Sequence, residues 1–214
     1  MSPRKVNVPH ERIVQAGLRC LRAGGLEGLT ARAVAAELGT SVGPIYRACG
    51  SMDALEQRVL ERAVEVLKAY TRRAYTPMPF RNVGVGVVVF AREEPRLYRT
   101  LFVERHHCPV VIETFCREIA GVLAADPVLG TLPETRREAL LQDLWVYSHG
   151  LAMSIVAGLT DDSSDEAVNE RIGRVGFLLI TAAFDGDPRW AFPPGVDPAA
   201  CPPISPYGKG DPLT

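Results

Sequence analysis

The sequence predicts an all-α fold: a small N-terminal three-helix unit joined by a long helix to a larger helical body. Two observations predict it. Apolar residues recur three and four positions apart along most of the 214 residues, the spacing of one helix face. Glycines and prolines fall between those stripes, where helices stop and start. The stretch Thr30–Tyr46, TARAVAAELGTSVGPIY, then reads as a short helix, a tight turn and a second short helix, the geometry that lays a helix in the major groove of DNA.

In chain order, His10–Ala23 is predicted as the first helix, with Val14, Leu18 and Leu21 on its inner face and Gly24-Gly25 ending it. Thr30 caps the second helix through its hydroxyl, and Ala31, Val34, Ala35 and Leu38 form its buried stripe. Gly39 supplies the left-handed residue of the turn. Thr40 or Ser41 caps a third helix of about six residues, with Pro44 in its first turn, where a missing N–H costs little. Val42 and Ile45 are expected inside, leaving Thr40, Ser41, Gly43, Pro44, Tyr46 and Arg47 on the outer face.

Ser51 caps a long helix to about Tyr75, with Leu55, Val59, Ala63, Val66 and Tyr70 as its stripe and Pro77 and Pro79 ending it. Val83–Ala91, VGVGVVVFA, has strand propensity, yet a lone strand cannot satisfy its backbone, so a helix is expected. Helices follow over Pro95–Phe102 and Pro109–Ala124, and then from about 133 to 159. The last runs from Ser163, which with Glu166 makes a capping box, to about Phe184. The final pair carries the seams Leu141, Leu144, Ser148, Leu151, Ile155 and Val168, Ile172, Val175, Leu179, Ala182. Two such stripes predict a four-helix homodimer interface, unless both are used up within one subunit. Residues 188–214 hold eight prolines in 27 positions and are expected to form a non-helical tail, draped on the body or partly disordered.

Charge divides unevenly along the chain. Residues 1–75 hold 12 Lys+Arg against 7 Asp+Glu, and the rest 12 against 18, so a basic unit precedes a mildly acidic body. Arg4 and Lys5 read either as part of a frayed terminus or as a basic arm near phosphate. Five scattered cysteines without CxxC pairs predict reduced thiols in a cytosol, and hence a cytoplasmic protein. No apolar run is long enough to span a bilayer, and the polar N-terminus predicts no signal peptide and no membrane association.

Residues 10–75 resemble the N-terminal domain of the tetracycline-repressor (TetR) family of bacterial regulators. The likeness rests on Ala16, Leu26, Gly28, Thr30, Val34, Ala35, Leu38, Gly39, Ser41, Gly43, Ile45, Tyr46, Ser51 and Leu55. The segments Glu94–Phe102 and Leu144–Leu151 resemble parts of the ligand-binding domains of that family. The resemblance implies a helix-turn-helix DNA-binding domain over 1–52, a helical ligand-binding and dimerisation domain over 53–187, and a tail over 188–214. It implies phosphate contacts from Thr30, Arg32 and Tyr46, and groove contacts from Thr40, Ser41, Gly43 and Pro44. Arg47 is a candidate for guanine or phosphate, or else a solvated surface arginine. Two positions depart from the family pattern: Ala48-Cys49 stands for the usual His-Phe pair, and Met52 for a lysine that meets phosphate. The loss at Met52 predicts a shallower salt dependence of DNA binding.

An apolar cavity lined by Phe90, Phe102, Phe115, Trp145 and His149 is the expected site for a small, largely apolar effector, with His106 at its mouth. Each of these residues also reads as plain core. Adjacent histidines diverge on a helix, so Glu104–Cys108 does not predict a metal site. No GxSxG, P-loop or GxGxxG is present, so neither catalysis nor a cofactor is expected. The function expected is a homodimeric repressor on a palindromic double-stranded operator. Its alternative is a ligand-binding or interaction module that has lost DNA binding.

Overall fold

The computed structural model describes residues 8–104 and 108–185. Arg4, Lys5, His106, Cys201 and the proline-rich tail lie outside the described residues. Nine α-helices are found among the described ones: α1 His10–Gly28, α2 Ala31–Glu37, α3 Val42–Cys49, α4 Met52–Thr71, α5 Pro79–Glu93, α6 Pro95–Phe102, α7 Pro109–Ala125, α8 Glu134–Val156 and α9 Asp165–Asp185. No strand occurs among them, and none of these helices is long and apolar enough to cross a membrane.

The helix boundaries follow from local chemistry. The α1 backbone breaks at Gly25, whose φ of 64° only glycine adopts without strain. The Thr30 hydroxyl accepts the Ala33 N–H at 3.1 Å, and the Ser51 hydroxyl accepts the Ala54 N–H at 3.1 Å. Gly39 takes the left-handed turn conformation, φ 64°. Beyond that break α1 continues to Gly28 rather than ending at Ala23, and two further boundaries differ from expectation. The fourth helix stops at Thr71 rather than Tyr75, because the turn over 72–78 is tied by Asn82, which accepts the Thr76 N–H at 2.8 Å and donates to the Thr76 carbonyl at 2.9 Å. The cap of the last helix is Ser164 rather than Ser163: its hydroxyl accepts the Ala167 N–H at 3.2 Å, while its own N–H is held by Asp162 at 2.9 Å.

The centre of the molecule is α5. Val85, Val87, Val88, Val89, Phe90 and Ala91 are all buried at 2% exposure or less. Each valine costs a few tenths of a kcal/mol in helix propensity and gains roughly 1.5–2 kcal/mol on burial, so tertiary packing overrides strand preference. Close approach of α4 is possible because residue 86 is glycine: a Cβ there would sit 2.6 Å from both the Tyr70 carbonyl oxygen and the Thr71 Cα. One buried cluster runs from Ile13 of α1 to Ile172 of α9, and a smaller one, Leu123, Leu129, Leu132 and Leu140, closes the far end.

Val168 and Ile172, placed on the expected intersubunit seam, are 0% and 6% exposed and pack inside the subunit. The outward apolar residues of the last two helices are instead Val146, Phe177, Leu178 and Phe184, at 62, 70, 57 and 39% exposure. Gly84 of α5 lets α9 pack closely: a Cβ there would already stand 3.3 Å from Ile172.

Candidate functional site

The first site is the exposed face of α2 and α3. Ile45, Val34 and Ala35 anchor the two helices against Leu21 and Leu55, all within one core. Outward lie Thr30, Arg32, Ser41, Tyr46 and Arg47, with Thr40 and Gly43 half-buried. Tyr46 is 47% exposed, so its ring is only half covered and its hydroxyl is free to reach outward. The Arg47 guanidinium lies over Gly43, where an added Cβ would be 3.5 Å away. Neither Arg32 nor Arg47 forms an ion pair among the described residues. Arg32 lies in the first turn of α2 and Arg47 in the last turn of α3, and exposed cations without an ion-pair partner among the described residues suit phosphate.

Two α3 positions exchange places relative to expectation. Pro44 is buried and Val42 is 38% exposed. Proline has no N–H to leave unsatisfied, so its ring is the cheaper group to bury once Ile45 fixes the helix phase. The outer face therefore presents Val42 rather than Pro44. Cys49 and Met52, which depart from the family pattern, are half-buried and pack against the same core.

The second site is a cluster of rings drawn from five helices. Phe102 of α6 lies 4.9 Å from Trp145 of α8 and 6.4 Å from Phe115 of α7, centroid to centroid. His149 stacks between Trp145 and Tyr98, each at 5.7 Å with planes within 26°. Tyr98 meets Phe102 at 5.0 Å and Phe90 at 6.3 Å, and Phe90 meets Tyr70 of α4 edge-on at 5.4 Å. The structure thus brings together five expected ligand contacts: Phe90, Phe102, Phe115, Trp145 and His149. Phe90, Tyr98 and Phe115 are buried, whereas Phe102, Trp145 and His149 are partly exposed.

One polar pair sits among these rings: the Tyr98 hydroxyl and His149 Nδ1 are 2.7 Å apart. Burial pushes the Tyr98 hydroxyl well above its ordinary range and pushes the imidazole down, so both are neutral at pH 7. The helix that carries Tyr98 also touches the N-terminal unit. α6 packs on α1, and Glu94 at its start accepts two hydrogen bonds from Arg22 of α1, at 2.9 and 2.7 Å.

Residues 13–59 match the family model described as bacterial regulatory proteins, tetR family. The N-terminal unit is a tetR-family domain. No curated protein sequence matches the chain. Among solved structures, the multidrug binding protein EbrR with imidazole is 20% identical, over 78% of this chain and 93% of its own, with a TM-score of 0.54. A TetR-like transcriptional regulator from Rhodococcus sp. RHA1 is 17% identical over 87% and 98%, TM-score 0.54. A TetR variant from Acinetobacter baumannii AYE in complex with minocycline is 15% identical over 84% and 99%, TM-score 0.56. At such identities the likeness is one of fold, and it extends from the tetR-family head through the helical body.

Sequence reasoning missed Tyr98 as a site residue. Its signal was present: Tyr98 and Phe102 are four apart on α6 and so share a face. The link from the tetR-family head to Glu94 had no signal, since 72 residues separate Arg22 from it. An open groove of about 820 Å³ also lies between α1, α4 and α7, with Val14, Arg58, Arg62, Val64, Lys68 and Val110 on its walls. None of the expected ligand contacts lines it. No group of three His, Cys, Asp or Glu among the described residues is placed to hold a metal ion.

Proposed function

We propose that this protein is a cytoplasmic transcriptional repressor that binds a palindromic operator as a homodimer and lets go when an apolar effector enters the ring cluster. DNA is read by α3 of each subunit, through Thr40, Ser41, Gly43, Val42 and Arg47, while Thr30, Arg32 and Tyr46 meet phosphates. The basic arm with Arg4 and Lys5 adds charge beside them. Dimerisation uses the exposed apolar strip on α8 and α9, so that two heads meet half-sites about 34–36 Å apart. No catalytic step is part of this reading.

The observation that carries it is the double duty of α6. One side of that helix supplies Tyr98 and Phe102 to the ring cluster, while its first turn is held to the DNA-binding head by Arg22 and Glu94. A ligand that separates the rings must shift α6, and α1 follows. Lys68 gives α4 a parallel tie to the body through Glu118 at 2.6 Å. EbrR with proflavin and the Acinetobacter protein with minocycline are ligand complexes of the same fold, which supports a ring-binding body.

Coupling exists only if the effector binds the two states unequally. The test is a fluorescence-anisotropy titration of the protein onto the duplex upstream of its own gene, repeated with candidate effectors. Retention of full DNA affinity with a bound ligand would overturn the repressor mechanism. A second reading, a ligand-binding module with weak DNA affinity, is favoured by Met52, an apolar half-buried residue where the family carries a phosphate-contacting lysine. Absence of any mobility shift at low salt would favour it.

A further inference from the structure

The polar pair inside the ring cluster restricts what can bind there, and this step rests on reading that cluster as the effector site. The Tyr98 hydroxyl is fully buried, and His149 Nδ1 is its partner at 2.7 Å. A phenol is the better donor of the two, and with Nδ1 protonated its own O–H would be left without an acceptor among the described residues. The hydroxyl therefore donates to Nδ1, and the imidazole carries its single proton on Nε2. No hydrogen bond engages Nε2 among the described residues. Because His149 is partly exposed and clamped between Trp145 and Tyr98, the N–H is a fixed donor set in the plane of stacked rings.

We infer that this site selects a flat aromatic molecule that bears an uncharged acceptor at its edge, and that His149 Nε2–H is the group that recognises the acceptor. Trp145 and Phe102, both partly exposed, offer ring faces and edges to the molecule.

Cations are disfavoured by the surrounding charge. The carboxylates at the α5–α6 junction are already engaged: Glu94 by Arg22, and Glu93 by Arg73 and Arg92. Glu104, at the other end of α6, keeps its charge, since its partner is the neutral Thr100 hydroxyl at 3.0 Å, but its carboxylate lies against Gly25 of α1 rather than among the rings. An ammonium moved among these rings gains up to about 2 kcal/mol from aromatic faces. It loses several kcal/mol of hydration, and among the described residues no carboxylate acts on His149 to offset that loss. Desolvation wins.

The test uses full-length protein and three matched probes: 2-methylnaphthalene, 2-acetonaphthone and 2-naphthylmethylammonium, each titrated by calorimetry. Acetonaphthone is expected to bind about tenfold tighter than the hydrocarbon, as one well-made hydrogen bond implies, and the ammonium most weakly. His149→Phe removes the donor, so the ketone-to-hydrocarbon affinity ratio should fall to about one, whatever the affinity common to both becomes. Equal affinity for the three, tighter binding of the ammonium, or a ketone preference that survives His149→Phe would overturn the inference. Binding of none of the probes would remove the effector site together with its selectivity. Operator release is measured in parallel. Selective binding without release leaves the inference standing and sinks the repressor mechanism instead.

Discussion

At His149 the ring cluster makes stability depend on pH. Burial lowers the imidazole's affinity for a proton below the ordinary value of 6.5, and the Tyr98 O–H donated to Nδ1 holds the neutral form. Above pH 6.5 the ring is neutral in both folded and unfolded chains, so nothing is lost. As pH falls below 6.5 the unfolded chain takes up a proton that the folded one refuses, and stability declines until the folded value is passed. Urea titrations of wild type and His149→Phe between pH 7.5 and 5 check this: the difference between them should narrow toward acid. Met52 supports a second prediction. Met52→Lys should steepen the plot of log DNA affinity against log salt by about one, because one more phosphate is neutralised. An unchanged slope would mean that residue 52 does not face DNA.

Residues also mark where the sequence was legible and where it was not. The caps at Thr30 and Ser51 could be read because a hydroxyl before an apolar run has one local job. The phase of α3 could not, because Val42, Pro44 and Ile45 are all apolar and only two can be buried. The ring candidates were identified one at a time as aromatic residues in apolar helices. Their mutual stacking is a property of five helices packed together, and no spacing along the chain encodes it.

Among the elements, α5 is the one that packs against α4, α6, α8 and α9 together. Its valine run looks like a strand by propensity, and the absence of any partner strand was the better guide. Gly86 is what allows it to cross α4. Gly86→Ala sets a methyl against backbone atoms 2.6 Å away, so α4 or α5 must move. A loss of roughly 1–3 kcal/mol in chemical denaturation is expected, whereas Gly121→Ala, where a Cβ meets nothing within 4 Å, should be neutral or stabilising. For α6 the matching prediction concerns coupling. Arg22→Ala frees Glu94 and removes the charged tie between α6 and α1, while the packing of the two helices remains. Ligand affinity should persist while the ligand's effect on DNA affinity falls several-fold. The pair is partly exposed, at 38% and 18% of side-chain area, so its contribution to folding is modest and the variant remains folded. Preserved coupling in a folded Arg22→Ala protein would assign the relay to α4 and Lys68 instead.

For the whole molecule, the decisive surface is the strip of Val146, Phe177, Leu178 and Phe184 on α8 and α9. The heptad-like pattern of these helices marked them as apolar, but the seam it drew passes through Val168 and Ile172 and leaves out Val146, Phe177, Leu178 and Phe184. The face with Val168 and Ile172 fills the subunit's own core, and the face with Phe177 and Leu178 is left outside. A phenylalanine at 70% exposure beside a leucine at 57% leaves large apolar side chains in solvent, a feature that marks interfaces when such residues cluster. Phe177→Asp with Leu178→Asp tests it directly. Both side chains are mostly in solvent within the subunit, so circular dichroism should stay that of the parent. Sedimentation should shift from dimer to monomer, because four carboxylates would meet across the two-fold axis. Operator affinity should fall with it, since a lone head keeps only one half-site. A variant that remains dimeric, or a monomer that binds the full operator as tightly as wild type, would show that the two heads are not held together through this strip.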